Sequence, residues 1–320
     1  MPDWDEIDFN QVARLSALLG MVGVVFACSA ALLGRVWWVF ELVTHFMLPL
    51  AILGSIVLGL LAWQRLWKLA GVAALLWLWI LVQVIPYLVN TGGEDAQGTQ
   101  TYRFVALNLL RDNRETDAVL DFINAEQADV LLLQEVTPRW ERQLREPLAR
   151  EYPHRVMQVR NHAFGIWLLS KHPLDQVQVL PTPDSDVPYL TADIDLGGET
   201  IHLVGVHPLP PTGQSKARER NQRLAAAGEV ISYQPGARMV LGDLNATPWS
   251  PYFRKLRRDG GLRDSGRWKG WSPTWDPGIS WLRLPIDHCL VSEEVGVAER
   301  RVGPAVGSDH RGLSVDVFFR

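Results

Sequence analysis

Hydrophobic and polar positions change character sharply near residue 90. Before it lie three uncharged apolar runs, Leu15 to Gly34, Phe46 to Trp63 and Leu69 to Val89, of 20, 18 and 21 residues. At 1.5 Å per residue, even the shortest spans about 27 Å as a helix, close to the hydrocarbon thickness of a bilayer. These runs predict a transmembrane anchor over residues 1–90, with helices at about 15–34, 46–63 and 69–89. An acidic amino end (Asp3, Asp5, Glu6, Asp8) and the two later runs argue against a cleaved signal peptide. A buried helical hairpin in a soluble protein is the competing reading. The polar, glycine-rich stretch from Asn90 to Gly98 predicts a linker over 91–100 and a separate domain over 101–320.

Beyond residue 101 the pattern shortens. Arg103 to Leu107 reads as a strand with Asn108 at its tip. Asp117 to Gln127 has helical spacing, and Asp129 to Leu133 is a near-continuous apolar run that ends in Gln134-Glu135. Strand, helix and strand in about 30 residues is a βαβ-like unit, whose buried strands offer their carboxyl ends to ligands. Phe164 to Ser170, Tyr189 to Asp195 and Glu199 to Val206 are further strands, the last running into His207-Pro208, where proline stops the ladder. Ser215 to Glu229 reads as a helix whose Arg218, Arg220 and Arg223 line a solvated face or reach a substrate phosphate.

The stretch Val240-Leu241-Gly242-Asp243-Leu244-Asn245 ends a buried strand, and positions i and i+2 place Asp243 and Asn245 on one face. A carboxylate there can orient and deprotonate water, and a carboxamide can donate to a developing oxyanion. A plain Asp/Asn turn is the alternative for this stretch taken alone. Two Asp–His pairs, Asp287-His288 and Asp309-His310, each precede a strand, and such a pair lets a carboxylate orient an imidazole. Glu135 is the type of oxygen ligand that Mg²⁺ takes, or else a solvated loop residue. Trp268, Trp271, Trp275 and Trp281, interleaved with Arg267, Lys269 and Arg283, suit base stacking, contact with a bilayer interface, or packing of a long loop.

Composition adds less. The net charge of −4 carries no polyanion-binding signature, and residues 101–320 hold 27 Lys/Arg against 28 acids. Cys28 and Cys289 have neither disulfide-framework nor metal-site spacing. Arg65 and Lys68 sit in the second loop of the anchor, while nothing basic follows the third run until Arg103. The positive-inside rule then puts the amino terminus and the second loop in the cytoplasm. The large domain falls on the extracytoplasmic side of a bacterial-type inner or plasma membrane. Trp37, Trp38, Trp63, Trp67 and Tyr87 suit the headgroup level.

The ordered series Asn108, Glu135, His207, Asp243 with Asn245, Asp287, and Asp309 with His310 resembles the endonuclease/exonuclease/phosphatase (DNase I-like) superfamily. That superfamily includes exonuclease III-type nucleases, neutral sphingomyelinases and inositol polyphosphate phosphatases. The resemblance covers residues 101–320 and rests on the QE, GDLN and SDH motifs. It implies a four-layered α/β sandwich of two packed mixed sheets flanked by helices, with the site at one end. It further implies Mg²⁺ (or Mn²⁺) held mainly by Glu135, with Asn108 and Asp309 in or near its shell. Asp243 would activate water for in-line attack, and Asn245 would bond the phosphoryl oxygens. His310, oriented by Asp287, would stabilise the transition state or act as acid–base partner, and His207 would contact the scissile phosphate. Arg218 and Trp275 are the substrate-binding candidates.

Leu110 stands where exonuclease III-type nucleases carry an acid, which lowers the case for an abasic-site nuclease. Asn245-Ala246-Thr247 also matches a glycosylation sequon. The expected activity is hydrolysis of a phosphate ester in nucleic acid or a phospholipid headgroup by a protein held in a lipid bilayer. No protein partner is readable. The alternative from a different class is a membrane-tethered binding protein that kept the fold without catalysis.

Overall fold

The computed structural model describes residues 8–182 and 185–320. The chain divides into two units, Met1–Leu88 and Val89–Arg320.

In the first unit, helix α1 (Phe9–Leu32) is capped by Asp8, whose carboxylate accepts from the Asn10 backbone N–H at 2.9 Å. Helix α2 (Trp38–Val43) passes through a 3₁₀ turn (Thr44–Phe46) into α3 (Met47–Trp63), and α4 (Trp67–Val84) ends in a second such turn, Ile85–Tyr87. Three stretches, Phe9–Leu32, Trp38–Trp63 and Trp67–Tyr87, are long and apolar enough to cross a membrane. The second starts earlier than the apolar run suggests because Glu41 and His45 are carried into it, both buried. The helices touch at small residues. A Cβ on Gly20 would lie 2.6 Å from Val57, and one on Gly54 would lie 2.9 Å from the Trp77 ring. The Trp77 indole donates to the Ala51 carbonyl at 3.1 Å and to the Ser55 hydroxyl at 2.9 Å, so it packs between helices. Leu19, Phe26, Ile52, Ile56, Leu75 and Val82 are each more than half exposed, an apolar outer surface suited to lipid.

The second unit holds two six-stranded mixed sheets. The first contains β1 (Tyr102–Asn108), β2 (Val130–Gln134), β3 (His154–Gln158), β4 (Ile166–Ser170), β11 (Val295–Val302) and β12 (Leu313–Phe319), in the order β11-β12-β1-β2-β4-β3. The second contains β5 (Leu174–Thr182), β6 (Ser185–Asp195), β7 (Thr200–Gly205), β8 (Ala237–Asp243), β9 (Arg263–Asp264) and β10 (Asp287–Val291), in the order β5-β6-β7-β8-β10-β9. Each sheet has one parallel pair at its centre, β1 with β2 and β7 with β8.

Strand periodicity explains the layering. Phe104, Ala106, Val130 and Leu132 face Leu203, Met239, Leu241 and Cys289 in the core between the sheets. The intervening Val105, Leu107, Leu131 and Leu133 pack under α5 (Thr116–Glu126) and α6 (Pro138–Ala149) through Phe122, Ile123, Trp140 and Leu144. Val204, Val240 and Leu290 pack under α7 (Gln214–Ser232) and α8 (Pro251–Asp259) through Leu224, Ile231, Phe253 and Leu256. The fold is therefore a four-layered α/β sandwich. Strands buried on both faces read as continuous apolar runs, and each fully buried Leu or Val contributes about 1.5–3 kcal/mol.

The topology also selects the site. The four parallel strands β1, β2, β7 and β8 end at Asn108, Gln134, Gly205 and Asp243. Strand β10 begins there, with Asp287 paired to Asp243, and β12 enters beside β1, with Leu313 paired to Ala106. Gln134 joins the sheets at this end by donating from its carboxamide to the Val206 carbonyl at 2.7 Å. The segment read as a linker is hydrogen-bonded into this unit, Thr91 N–H to the Trp268 carbonyl at 3.0 Å and Glu94 N–H to the Val297 carbonyl at 2.9 Å.

Candidate active site

Two turns of left-handed backbone deliver the acids. Glu135 leaves β2 at φ +60° and Asn245 follows β8 at φ +47°, conformations that side-chain-bearing residues adopt at a cost of about 1 kcal/mol or more. Between them, Gly242 has φ +133°, and a Cβ there would lie 2.2 Å from the Val206 carbonyl oxygen. Only glycine lets β8 run close enough to β7 to place Asp243 below His207.

Asp243 is the hub of the site. Its Oδ1 accepts from the Asn245 backbone N–H at 2.8 Å. Its Oδ2 lies 3.4 Å from the Asn108 carboxamide nitrogen, 3.4 Å from His207 Nδ1 and 3.6 Å from His310 Nε2. The side chain is 1% exposed. Burial alone would raise its pKa, but His310, His207 and the Asn245 N–H outweigh it and hold the carboxyl below the usual range.

His310 Nδ1 lies 2.8 Å from Asp287 Oδ2. Burial opposes a proton on this ring, yet Asp287, Asp243 and Asp309 raise its pKa to about 10. Asp287 is itself fixed by its backbone N–H, which donates to the Thr274 hydroxyl at 3.0 Å. Ligand atoms of Asp243, Asp287 and His310 all lie within 4.8 Å of one another, a spacing that would suit a metal ion. With Asp287 at one nitrogen and Asp243 near the other, the trio can equally clamp the ring in its protonated form, in which neither nitrogen has a lone pair to give.

The oxygen-rich side of the site is different. Glu135 Oε1 accepts from the Asn108 carboxamide at 3.2 Å and Oε2 from the Arg111 backbone N–H at 2.8 Å, with His207 Nε2 at 3.8 Å. Asp309 Oδ2 accepts from the Trp275 indole at 3.0 Å, while its buried Oδ1 has no hydrogen-bond partner among the described residues. Ser308 fastens this loop to β1 by donating to the Asn108 carbonyl at 2.8 Å. Among the described residues, none of Glu135, Asp243, Asp287 and Asp309 has a Lys or Arg within 4.0 Å. Four carboxylates facing two imidazoles, with one oxygen of Asp287 and one of Asp309 lacking a hydrogen-bond partner among the described residues, are an oxygen-rich donor set of the kind a hard divalent cation takes.

The sequence candidates fare differently. Asn108 is beside Glu135, but its carboxamide oxygen accepts from the Leu110 N–H at 3.0 Å and its nitrogen faces the acids, so it acts as a donor bridging Glu135 and Asp243. The Asn245 carboxamide donates to the Pro208 carbonyl at 2.9 Å. Trp275 enters the site by holding Asp309. Arg218 is exposed on α7, in an open depression with Gln214 and Gln222, and makes none of the site contacts. Arg220 and Arg223, read as part of a solvated face, are buried instead, and Arg220 donates to the Asn245 carbonyl at 2.6 Å. Nothing in the spacing of α7 separates Arg220 from its neighbours. Phe164 is a further missed contact, its ring 5.5 Å from that of His207.

The family model described as Endonuclease/Exonuclease/phosphatase family matches residues 90–310. The chain belongs to this family. No curated protein matches it in sequence. Among solved structures it is similar to TDP2 of D. rerio complexed with a single-strand DNA product, at 17% identity and a TM-score of 0.56, over 68% of this chain and 99% of that one. It is similar to SmcL at 15% identity and a TM-score of 0.54, over 69% and 99%. An endonuclease/exonuclease/phosphatase protein from Beutenbergia cavernae aligns at 19% identity and a TM-score of 0.54, over 69% and 72%. At these identities the structural likeness establishes the fold.

Proposed function

We propose that this chain is a membrane-anchored, divalent-metal-dependent phosphoric ester hydrolase. The observation that carries the reading is the convergence on Asp243 of hydrogen bonds from Asn108 and Asn245 and of the His207 and His310 imidazoles at 3.4 and 3.6 Å, together with the unpartnered buried oxygen of Asp309.

Glu135 and Asp309 would hold Mg²⁺, with Mn²⁺ as an alternative. The ion would polarise the phosphoryl group and neutralise its charge. Asp243, kept ionised, orients the attacking water with one oxygen while Asn245 fixes the other. His310 carries a proton at Nε2 that it presents to a phosphoryl or leaving oxygen, and Asp287 keeps the ring in that orientation and charge state. His207, buried between Glu135 and Asp243, lies where a non-bridging phosphate oxygen would complete its hydrogen bonding.

Three apolar helices support integral-membrane placement, and Arg65 with Lys68 supports an extracytoplasmic catalytic domain. The substrate is a nucleic acid or a phospholipid headgroup, the two ester classes suited to that setting. The test offers plasmid DNA and mixed phospholipid vesicles in parallel to the full-length protein with Mg²⁺, with Asp243→Asn as control. DNA scission alone assigns a tethered nuclease; release of headgroup or phosphate alone assigns a lipid-processing enzyme. Equal product from wild type and Asp243→Asn on both substrates would overturn the reading.

A further inference from the structure

Away from the acidic site, the second unit contains a cavity of about 360 Å³ with the opposite electrostatics. Arg257, Arg263, Arg267 and Lys269 line it, with Glu94 and Asp264 as the acids. Glu94 is taken up by Arg263 at 3.1 Å and by Arg320. Among the described residues, no carboxylate lies within 4.0 Å of Arg257, Arg267 or Lys269. Lys269 donates instead to the Gly92 carbonyl at 2.7 Å, and burial holds its pKa below the usual lysine value. The cavity thus concentrates cationic charge without matching counter-charge.

Its wall includes the chain that follows the anchor. Thr91 and Gly92 line the cavity, and Thr91 stands only four residues after Tyr87, the end of the third apolar stretch. Even fully extended, four residues reach no more than about 14 Å. The contacts that tie this segment down are specific: Gly270 N–H to the Val89 carbonyl at 3.2 Å, Thr91 N–H to the Trp268 carbonyl at 3.0 Å, and an antiparallel bridge between Asn90 and Lys269. Trp268, at the same wall, is 38% exposed, with the Arg267 guanidinium 5.7 Å from its ring centroid. An exposed indole beside basic side chains, a few residues from an apolar span, is the combination favoured at the headgroup level of a bilayer.

We propose that this cavity binds the phosphate of an anionic phospholipid in the anchoring membrane, with Arg257, Arg267 and Lys269 as phosphate ligands and Trp268 at the interface. The proposal rests on the membrane-anchored reading and is separate from catalysis, because none of these residues belongs to the Asp243 constellation. Binding would fix the domain against the bilayer through a site that neutral lipids do not fill.

The test uses the full-length protein in nanodiscs of phosphatidylcholine alone or mixed with phosphatidylglycerol, read by amide hydrogen exchange over residues 89–94 and 263–270. Exchange in these segments should slow by roughly tenfold when phosphatidylglycerol is present. The double variant Arg257→Gln/Arg267→Gln should lose that slowing, yet still co-elute with the discs and turn over a soluble ester at the wild-type rate. Identical exchange in the two lipid compositions would overturn the proposal, as would the same slowing produced by inorganic phosphate in phosphatidylcholine discs. Failure of the wild type to co-elute with either disc would instead remove the anchored reading itself.

Discussion

His310 Nδ1 sits 2.8 Å from Asp287 Oδ2, and the same ring turns its other nitrogen toward Asp243. One carboxylate thereby fixes the ring and favours its charged form, while a second stands 3.6 Å from the nitrogen that chemistry would use. Asp287→Asn keeps the shape of that contact and removes its charge. The expected result is a fall in kcat of about 10²–10⁴ with KM and the unfolding midpoint near wild type. An unchanged kcat would strip Asp287 of its orienting role.

Trp275 holds Asp309 by a single indole N–H at 3.0 Å. In Trp275→Phe the ring volume is largely kept and the donor is lost. Affinity for Mg²⁺ should weaken by about tenfold, measured by calorimetry on the full-length protein. Wild-type affinity in this variant would show that Asp309 needs no such support, or that the ion binds elsewhere.

Gly242 is a third point of control. A methyl group there meets the Val206 carbonyl oxygen at 2.2 Å and the Gln134 nitrogen at 2.7 Å, on a backbone at φ +133°. Gly242→Ala should cost about 2–4 kcal/mol in urea unfolding and reduce turnover together with stability. Retained stability would mean that β7 and β8 can separate without penalty.

His288 supplies a pH dependence of its own, on the ring that follows Asp287 in β10. Burial lowers its pKa below the ordinary histidine value of 6.5, against the smaller opposing pull of Asp264 and of its hydrogen bond to the Ala246 carbonyl, 2.8 Å from Nε2. The unfolded chain therefore binds this proton more readily than the native one. The associated stability is complete above pH 6.5 and is lost as pH falls through the lowered native value. The urea midpoint of the wild type should drop between about pH 7.5 and about pH 5 by more than that of His288→Gln. Parallel pH profiles would assign the acid sensitivity to other groups.

The parts of the fold that were legible in the sequence are those with a local cause. Asn108, Glu135, Asp243 and His207 were readable because polar residues end buried apolar runs, and strand ends converge in an α/β sheet. Resemblance to the family supplied the sandwich, since the order β11-β12-β1-β2-β4-β3 depends on pairings across as many as 215 residues, such as Tyr102 with Val317. Arg220 was hidden for a related reason. On α7 it looks like its neighbours, and only the distance of its guanidinium to the Asn245 carbonyl, 25 residues away, singles it out. Helix α6 carried a signal that passed unread: Thr137 caps it, Pro138 opens it, and Trp140, Leu144 and Leu148 recur every fourth residue on its buried face.

The most direct test of the central claim is turnover of a chromogenic phosphodiester by the full-length protein as Mg²⁺ is titrated after chelation, with Asp243→Asn alongside. The account predicts activity that returns with Mg²⁺ in the wild type and stays lower in the folded variant by a factor on the order of 10³ or more. Full activity in excess chelator, or an Asp243→Asn rate equal to wild type, would contradict it.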